Sequence, residues 1–108
     1  MNRARPLTYG LPTTRPNTIS MPAYQTIVFT TEFVDSLDRF SPVDLRRIAT
    51  ALRQLDADET YPSLQVHPLK GQQAGLWSAY VSKSLRITFR RLGTGRKELV
   101  DASRHYGD

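Results

Sequence analysis

The sequence predicts an α+β domain, a helical hairpin packed on an antiparallel sheet, with elements in the order β-α-α-β-β-β. Three observations predict it. An amphipathic segment carrying Phe33, Val34, Leu37 and Phe40 is followed at once by a second helix start at Ser41-Pro42, so two helices are neighbours in the chain. Three strand-like segments then follow with no helical pattern between them. Short turn sequences, Ser82-Lys83-Ser84 and Gly93-Thr94-Gly95, separate those segments. Helices grouped before strands mark α+β architecture.

Residues 1–22 hold four of the seven prolines and no apolar period. Such a composition cannot bury enough surface to offset ordering, so a disordered basic tail is expected there. The domain is expected over residues 23–108. Residues 24–30 are β-branched and aromatic and read as a strand. Thr31 can cap the first helix, in which Phe33, Leu37 and Phe40 fall at i, i+4 and i+7. In the second, Ser41 fits the N-cap, Pro42 the first turn and Asp44 the positive end of the dipole. Leu45, Ile48, Ala49, Leu52 and Leu55 then share one face. Residues 56–75 are irregular, with a short extended piece at 64–66. Strands are expected over 76–81, 85–92 and 97–103. In the second of these, Leu85, Ile87 and Phe89 alternate with Arg86, Thr88 and Arg90. The apolar set faces the helices and the basic set faces away.

The chain has 108 residues and no cysteine, which excludes a disulfide framework, a thiol nucleophile and thiolate metal sites. Two histidines are too few for a histidine-built metal centre. There is neither a membrane-length apolar run nor a signal-like apolar stretch after Arg3 and Arg5, so a soluble cytoplasmic chain without membrane contact is expected. The net charge of +5 is uneven: +3 over residues 1–22, −3 over 23–60 and +5 over 61–108. A basic C-terminal half fits a polyanionic partner, and equally a solvated basic surface.

His67-Pro68-Leu69-Lys70-Gly71, Gly75-Leu76-Trp77-Ser78, Leu85-Arg86-Ile87-Thr88-Phe89 and Ser103-Arg104-His105-Tyr106 occur in that order. Together they resemble the RelE/YoeB group of bacterial toxins, the ribonuclease halves of type II toxin–antitoxin modules. The resemblance covers about residues 23–106 and implies a RelE-like fold. It implies cleavage of ribosome-bound messenger RNA without a metal or other cofactor, and silencing by an acidic antitoxin protein. In that chemistry the ribose 2′-OH attacks the adjacent phosphate, leaving a 2′,3′-cyclic phosphate and a free 5′-OH. The reaction needs a base, an acid and positive charge for the transition state.

The resemblance assigns Arg86 and Lys70 to the phosphate, and His105 and Tyr106 to proton transfer and stacking or alignment. Each also has a plainer reading: a solvent-facing strand arginine, a surface lysine, and a frayed C-terminal end. Two positions depart from the YoeB-like pattern. His67 stands where that branch carries a glutamate base, and suggests a two-imidazole pair with His105; it also reads as a loop residue. Tyr80 stands at a second basic position, a loss that Arg90 or Arg104 can make up. Lys83, Arg90 and Arg104 complete the expected RNA-binding set. Trp77 and Leu69 are expected to be structural. A ParE-like, non-nuclease gyrase inhibitor and an inactive RNA-binding or interaction domain are the alternatives.

Overall fold

A computed structural model describes residues 24–104. The tail expected over residues 1–22 lies outside them. Strand β1 (Ile27–Phe29) leads directly into α1 (Thr31–Ser36) and a 3-10 turn at Leu37–Arg39. The cap is Thr30, one residue earlier than the sequence suggests. Its hydroxyl accepts from the Phe33 N–H at 3.0 Å and donates to the Leu99 carbonyl at 2.7 Å. Sitting at the sheet edge, Thr30 can serve both partners, which fixes the helix start against the sheet.

Helix α2 (Pro42–Ala57) begins as its sequence requires, with the Ser41 hydroxyl accepting from the Asp44 N–H at 3.2 Å. Its buried face carries Asp44, Ile48, Ala51, Leu52 and Leu55. Of the stripe expected there, Ala49 is half-buried and Leu45 is exposed. The buried stripe instead runs through Asp44, whose carboxylate turns inward to meet Arg104.

The sheet has five strands: β1, β2 (His67–Pro68), β3 (Trp77–Ser82), β4 (Leu85–Arg91) and β5 (Lys97–Arg104), in the order β1-β5-β4-β3-β2. It is mixed rather than wholly antiparallel, because β1 runs parallel to β5. A parallel pair needs a long crossover instead of a turn, and the intervening helices and strands supply it. The extended piece expected at 64–66 is instead a 3-10 turn at Pro62–Leu64, and the paired residues are His67 and Pro68. Strands β3 and β4 join through Lys83 and Ser84, and β4–β5 carries a register shift at Thr88/Phe89.

The helices cover one face of this sheet. Phe33, Leu55, Leu64, Leu85, Ile87, Phe89 and Leu99 are fully buried between the layers, each worth roughly 1.5–3 kcal/mol of burial. A polar pin closes one end of the core. Lys97 is only 5% exposed, and its Nζ donates to the Leu55 carbonyl at 2.9 Å and the Thr26 hydroxyl at 3.0 Å. Asp56 accepts from the Thr26 N–H at 2.6 Å and the Gln25 N–H at 3.0 Å. Burial alone would raise the Asp56 carboxyl, but the hydrogen bonds from Thr26 and Gln25, with the Lys97 charge, outweigh it and hold it below the ordinary carboxylate value. Among the described residues no helix is long and apolar enough to cross a membrane.

Candidate active site

Strand pairing decides which side chains share the face away from the helices. His67 pairs with Ser78, and Ser78 with Thr88. Two residues along, Tyr80 pairs with Arg86, and Arg86 with Ser103. Directly opposed residues project from the same side of a sheet. His67 and Arg86 therefore stand on one face, two strands apart and one row offset, roughly 12 Å between backbones at ordinary strand spacing.

His67 is exposed, and its Nδ1 lies 2.8 Å from the carbonyl oxygen of Gln65. A carbonyl oxygen only accepts, so Nδ1 carries a proton, and in the neutral tautomer that this contact selects Nε2 is the acceptor. Gln65 holds that carbonyl in place from a left-handed conformation, φ 45° and ψ 47°. A non-glycine residue there is strained, and such strain persists where surrounding contacts demand it.

Arg86 is half-buried. Its guanidinium lies 5.0 Å from the centroid of the Tyr80 ring and donates to the Ser82 carbonyl at 3.2 Å. Among the described residues no carboxylate pairs with it. One neutral acceptor leaves most of its five donors uncommitted. Tyr80, a departure from the expected basic pattern, is thus the surface on which the arginine rests.

The remaining candidates are spread out. Lys70 is exposed and begins the 3-10 turn Gly71–Gln73, where Gly71 takes φ 68° and lets the chain reverse. Lys83 is exposed at the β3–β4 turn, past Arg86 from His67. Arg90 is held by Glu98 at 2.5 Å. Arg104 faces the helices, where Asp44 and the Ser84 hydroxyl take its guanidinium. His105 and Tyr106 lie outside the described residues. Arg104, the last described residue, pairs with Leu85, one position past the Arg86–Ser103 pair. Trp77 packs at the margin of the core, with the Arg91 guanidinium 3.6 Å from its ring centroid.

This architecture recurs in solved structures. A YoeB/ParE toxin from Agrobacterium tumefaciens aligns with a TM-score of 0.62 at 26% identity, over 76% of this chain and 100% of that one. The chain is RelE/YoeB-like. A chain of the YoeB–YefM complex from Staphylococcus aureus gives 0.61 at 15% identity, covering 78% of this chain and 100% of that one. A chain of the toxin–antitoxin complex RelBE2 from Mycobacterium tuberculosis gives 0.54 at 21% identity, covering 77% and 100%. At those lower identities the two complexes speak for the fold alone. No family model and no curated protein matches the sequence.

Within this RelE/YoeB-like frame, the sequence did not signal two supports of the face. Gln65 orients His67 through its backbone, which no side-chain pattern encodes. Tyr80 meets Arg86 only through strand register, which follows from the two-residue Lys83-Ser84 connection.

Proposed function

We propose that the chain is a toxin of the ribonuclease type, cutting ribosome-bound messenger RNA in the cytoplasm by attack of a ribose 2′-OH on the adjacent phosphate. The observation that carries this reading is the placement of His67, with Nδ1 held on the Gln65 carbonyl and Nε2 without a partner among the described residues, on the face that bears Arg86. His67 Nε2 takes the 2′-OH proton as the 2′-oxygen bonds to phosphorus. The P–O5′ bond breaks, and His105 returns a proton to the leaving 5′-oxygen. The products are a 2′,3′-cyclic phosphate and a 5′-OH.

Arg86 meets the equatorial phosphate oxygens. It exchanges one neutral hydrogen bond to Ser82, worth about 1 kcal/mol net, for charge-assisted bonds to phosphate. Lys70 adds a point charge, Tyr106 stacks or aligns, and Lys83 extends the grip along the RNA. Arg90 and Arg104 take part only by giving up Glu98 and Asp44, so they rank below the others. A partner protein with an acidic inhibitory segment silences the chain by covering this face. Two of the structures that share this fold come from toxin–antitoxin complexes, and the proposed partner corresponds to their antitoxin.

Primer extension on cellular message after induction of the wild-type chain and of Arg86→Ala tests the reading. Codon-phased cuts ending in cyclic phosphate are expected with the first and not the second. Intact message with inhibited gyrase would move the chain to the ParE-like alternative. Intact message with neither effect would leave an interaction domain.

A further inference from the structure

A depression of 370 Å³ opens beside the His67 loop, at the end of the sheet where Trp77 lies. Its walls include Glu59, Tyr61, Pro62, Gln65, Val66 and Arg91. Gln65, which holds His67, therefore also lines this depression. Tyr61 is 44% exposed although aromatic. Arg91 is fixed from two sides, stacked on Trp77 and donating from Nε at 3.1 Å and from its terminal nitrogen at 2.8 Å. Both of those bonds land on the same Glu59 oxygen, Oε1. Among the described residues Glu59 Oε2 has no partner. The turn before it is set by Asp58, whose carboxylate accepts from the Thr60 N–H at 2.9 Å.

We infer that this depression, on the helix side of the β2 edge, is a nucleobase subsite for an RNA strand that wraps that edge from the His67–Arg86 face, a deepening that rests on the ribonuclease reading above. A flat apolar ring at the rim supplies a stacking surface for any base. Val66 and Pro62 give an apolar lining, and the volume lies in the range of small-ligand sites. The free Glu59 oxygen can only accept. It matches the exocyclic amino group of adenine, cytosine or guanine. Uracil offers it only the N3–H, flanked by two carbonyl oxygens that the carboxylate repels. Arg91 closes the wall and holds Glu59 in one orientation, so the acceptor is presented without rearrangement. The subsite thus prefers an amino-bearing base and binds uracil more weakly.

The chain has a single tryptophan, and its indole lies against the Arg91 wall. The indole N–H resonance of Trp77 therefore reports on the depression. Titration with the 3′-monophosphates of adenosine, cytidine, guanosine and uridine should shift it, with uridine binding about tenfold more weakly than the best of the others, the scale of one hydrogen bond to a charged group. Glu59→Gln keeps an acceptor for Arg91 and adds a donor, so the discrimination against uridine should disappear. Tyr61→Ala should weaken all four about tenfold through lost stacking. Equal affinities for all four in the wild-type chain would overturn the proposal. So would unchanged preference in Glu59→Gln, or no shift of Trp77 with any nucleotide. The titration needs no cleavage. Ordered binding without cleavage removes the nuclease reading and leaves the subsite, while cleavage with flat binding does the reverse.

Discussion

The guanidinium of Arg104 closes on the carboxylate of Asp44 and ties the last described residue of β5 to the first turn of α2. Asp44 is only 7% exposed and sits at the positive end of its helix, so its charge is met from two directions. Arg104 also lies over the Phe40 ring, 5.5 Å from its centroid. A residue expected to grip RNA is thereby committed to joining sheet and helix.

Asp44→Ala should destabilise the fold by about 2 kcal/mol. Breaking a fully buried pair costs more, but the arginine is partly exposed and can regain water. Urea unfolding of Asp44→Ala, Arg104→Ala and the double variant should give a double-variant loss clearly smaller than the sum of the singles. Strict additivity would mean that the two side chains do not interact in solution.

Arg86→Ala should fold like the wild type, since the side chain stands on the helix-free face and leaves no core cavity. Cleavage should fall about 10²–10³-fold, the usual cost of one transition-state cation. Arg86→Lys should recover little, because an ammonium cannot fork two phosphate oxygens or lie flat on Tyr80. A wild-type cleavage rate in Arg86→Ala would remove it from the site.

His67→Ala should lower the rate by about 10²–10⁴, the range for losing general acid–base catalysis. His67→Glu should restore part of that loss, and His67→Gln should not, as an amide keeps hydrogen bonding but takes no proton. Single-turnover cleavage of ribosome-bound message measures all three. Near-wild-type rates for both His67→Ala and His67→Gln would return His67 to the status of a loop residue.

The Asp56 carboxyl ionises below its ordinary value in the folded chain. A depressed carboxyl contributes stability that is fully present above the unfolded value of about 3.9. That stability is lost as the pH falls through the folded value. At pH 7 Asp56→Asn should therefore be less stable than the wild type, and the gap should close on acidification below about pH 4. Urea midpoints at pH 7 and pH 3 measure it. A gap that does not change with pH would show that shape rather than charge holds the Thr26–Asp56 junction.

Much of this architecture was written in local pattern. Ser41-Pro42 announces α2, and the alternation of Leu85, Ile87 and Phe89 with Arg86 assigns the two faces of β4. What local pattern could not carry was the partner of β1, because a parallel pair has no connecting turn to read. Nor could it reveal that Asp44 and Asp56 turn inward. An acid on an amphipathic helix reads as solvent-facing until the arginine or threonine that meets it is known. At the candidate site, His67 and Arg86 were legible through motif and alternation. The depression past the β2 edge was not, since Glu59, Tyr61 and Gln65 come from an irregular stretch and Arg91 from the end of a strand about 30 positions later. Only the folded chain brings those residues together.

The parallel pairing of β1 with β5 also bears on how the chain comes to be folded. Ile27 pairs with Lys97, 70 positions later. Contacts so distant in sequence form late, because loop closure must be met before they give anything back. During synthesis the helical hairpin and the β3–β4 hairpin can form as each emerges, but β1 has no neighbour until residues 97–104 are free. The strand beside Arg86 on one side and β1 on the other is that same β5. A nascent chain still lacking it has neither a complete sheet nor the neighbour that flanks Arg86 through Ser103. Completion of the face that carries His67 and Arg86 is thereby coupled to the arrival of β5, the last strand among the described residues.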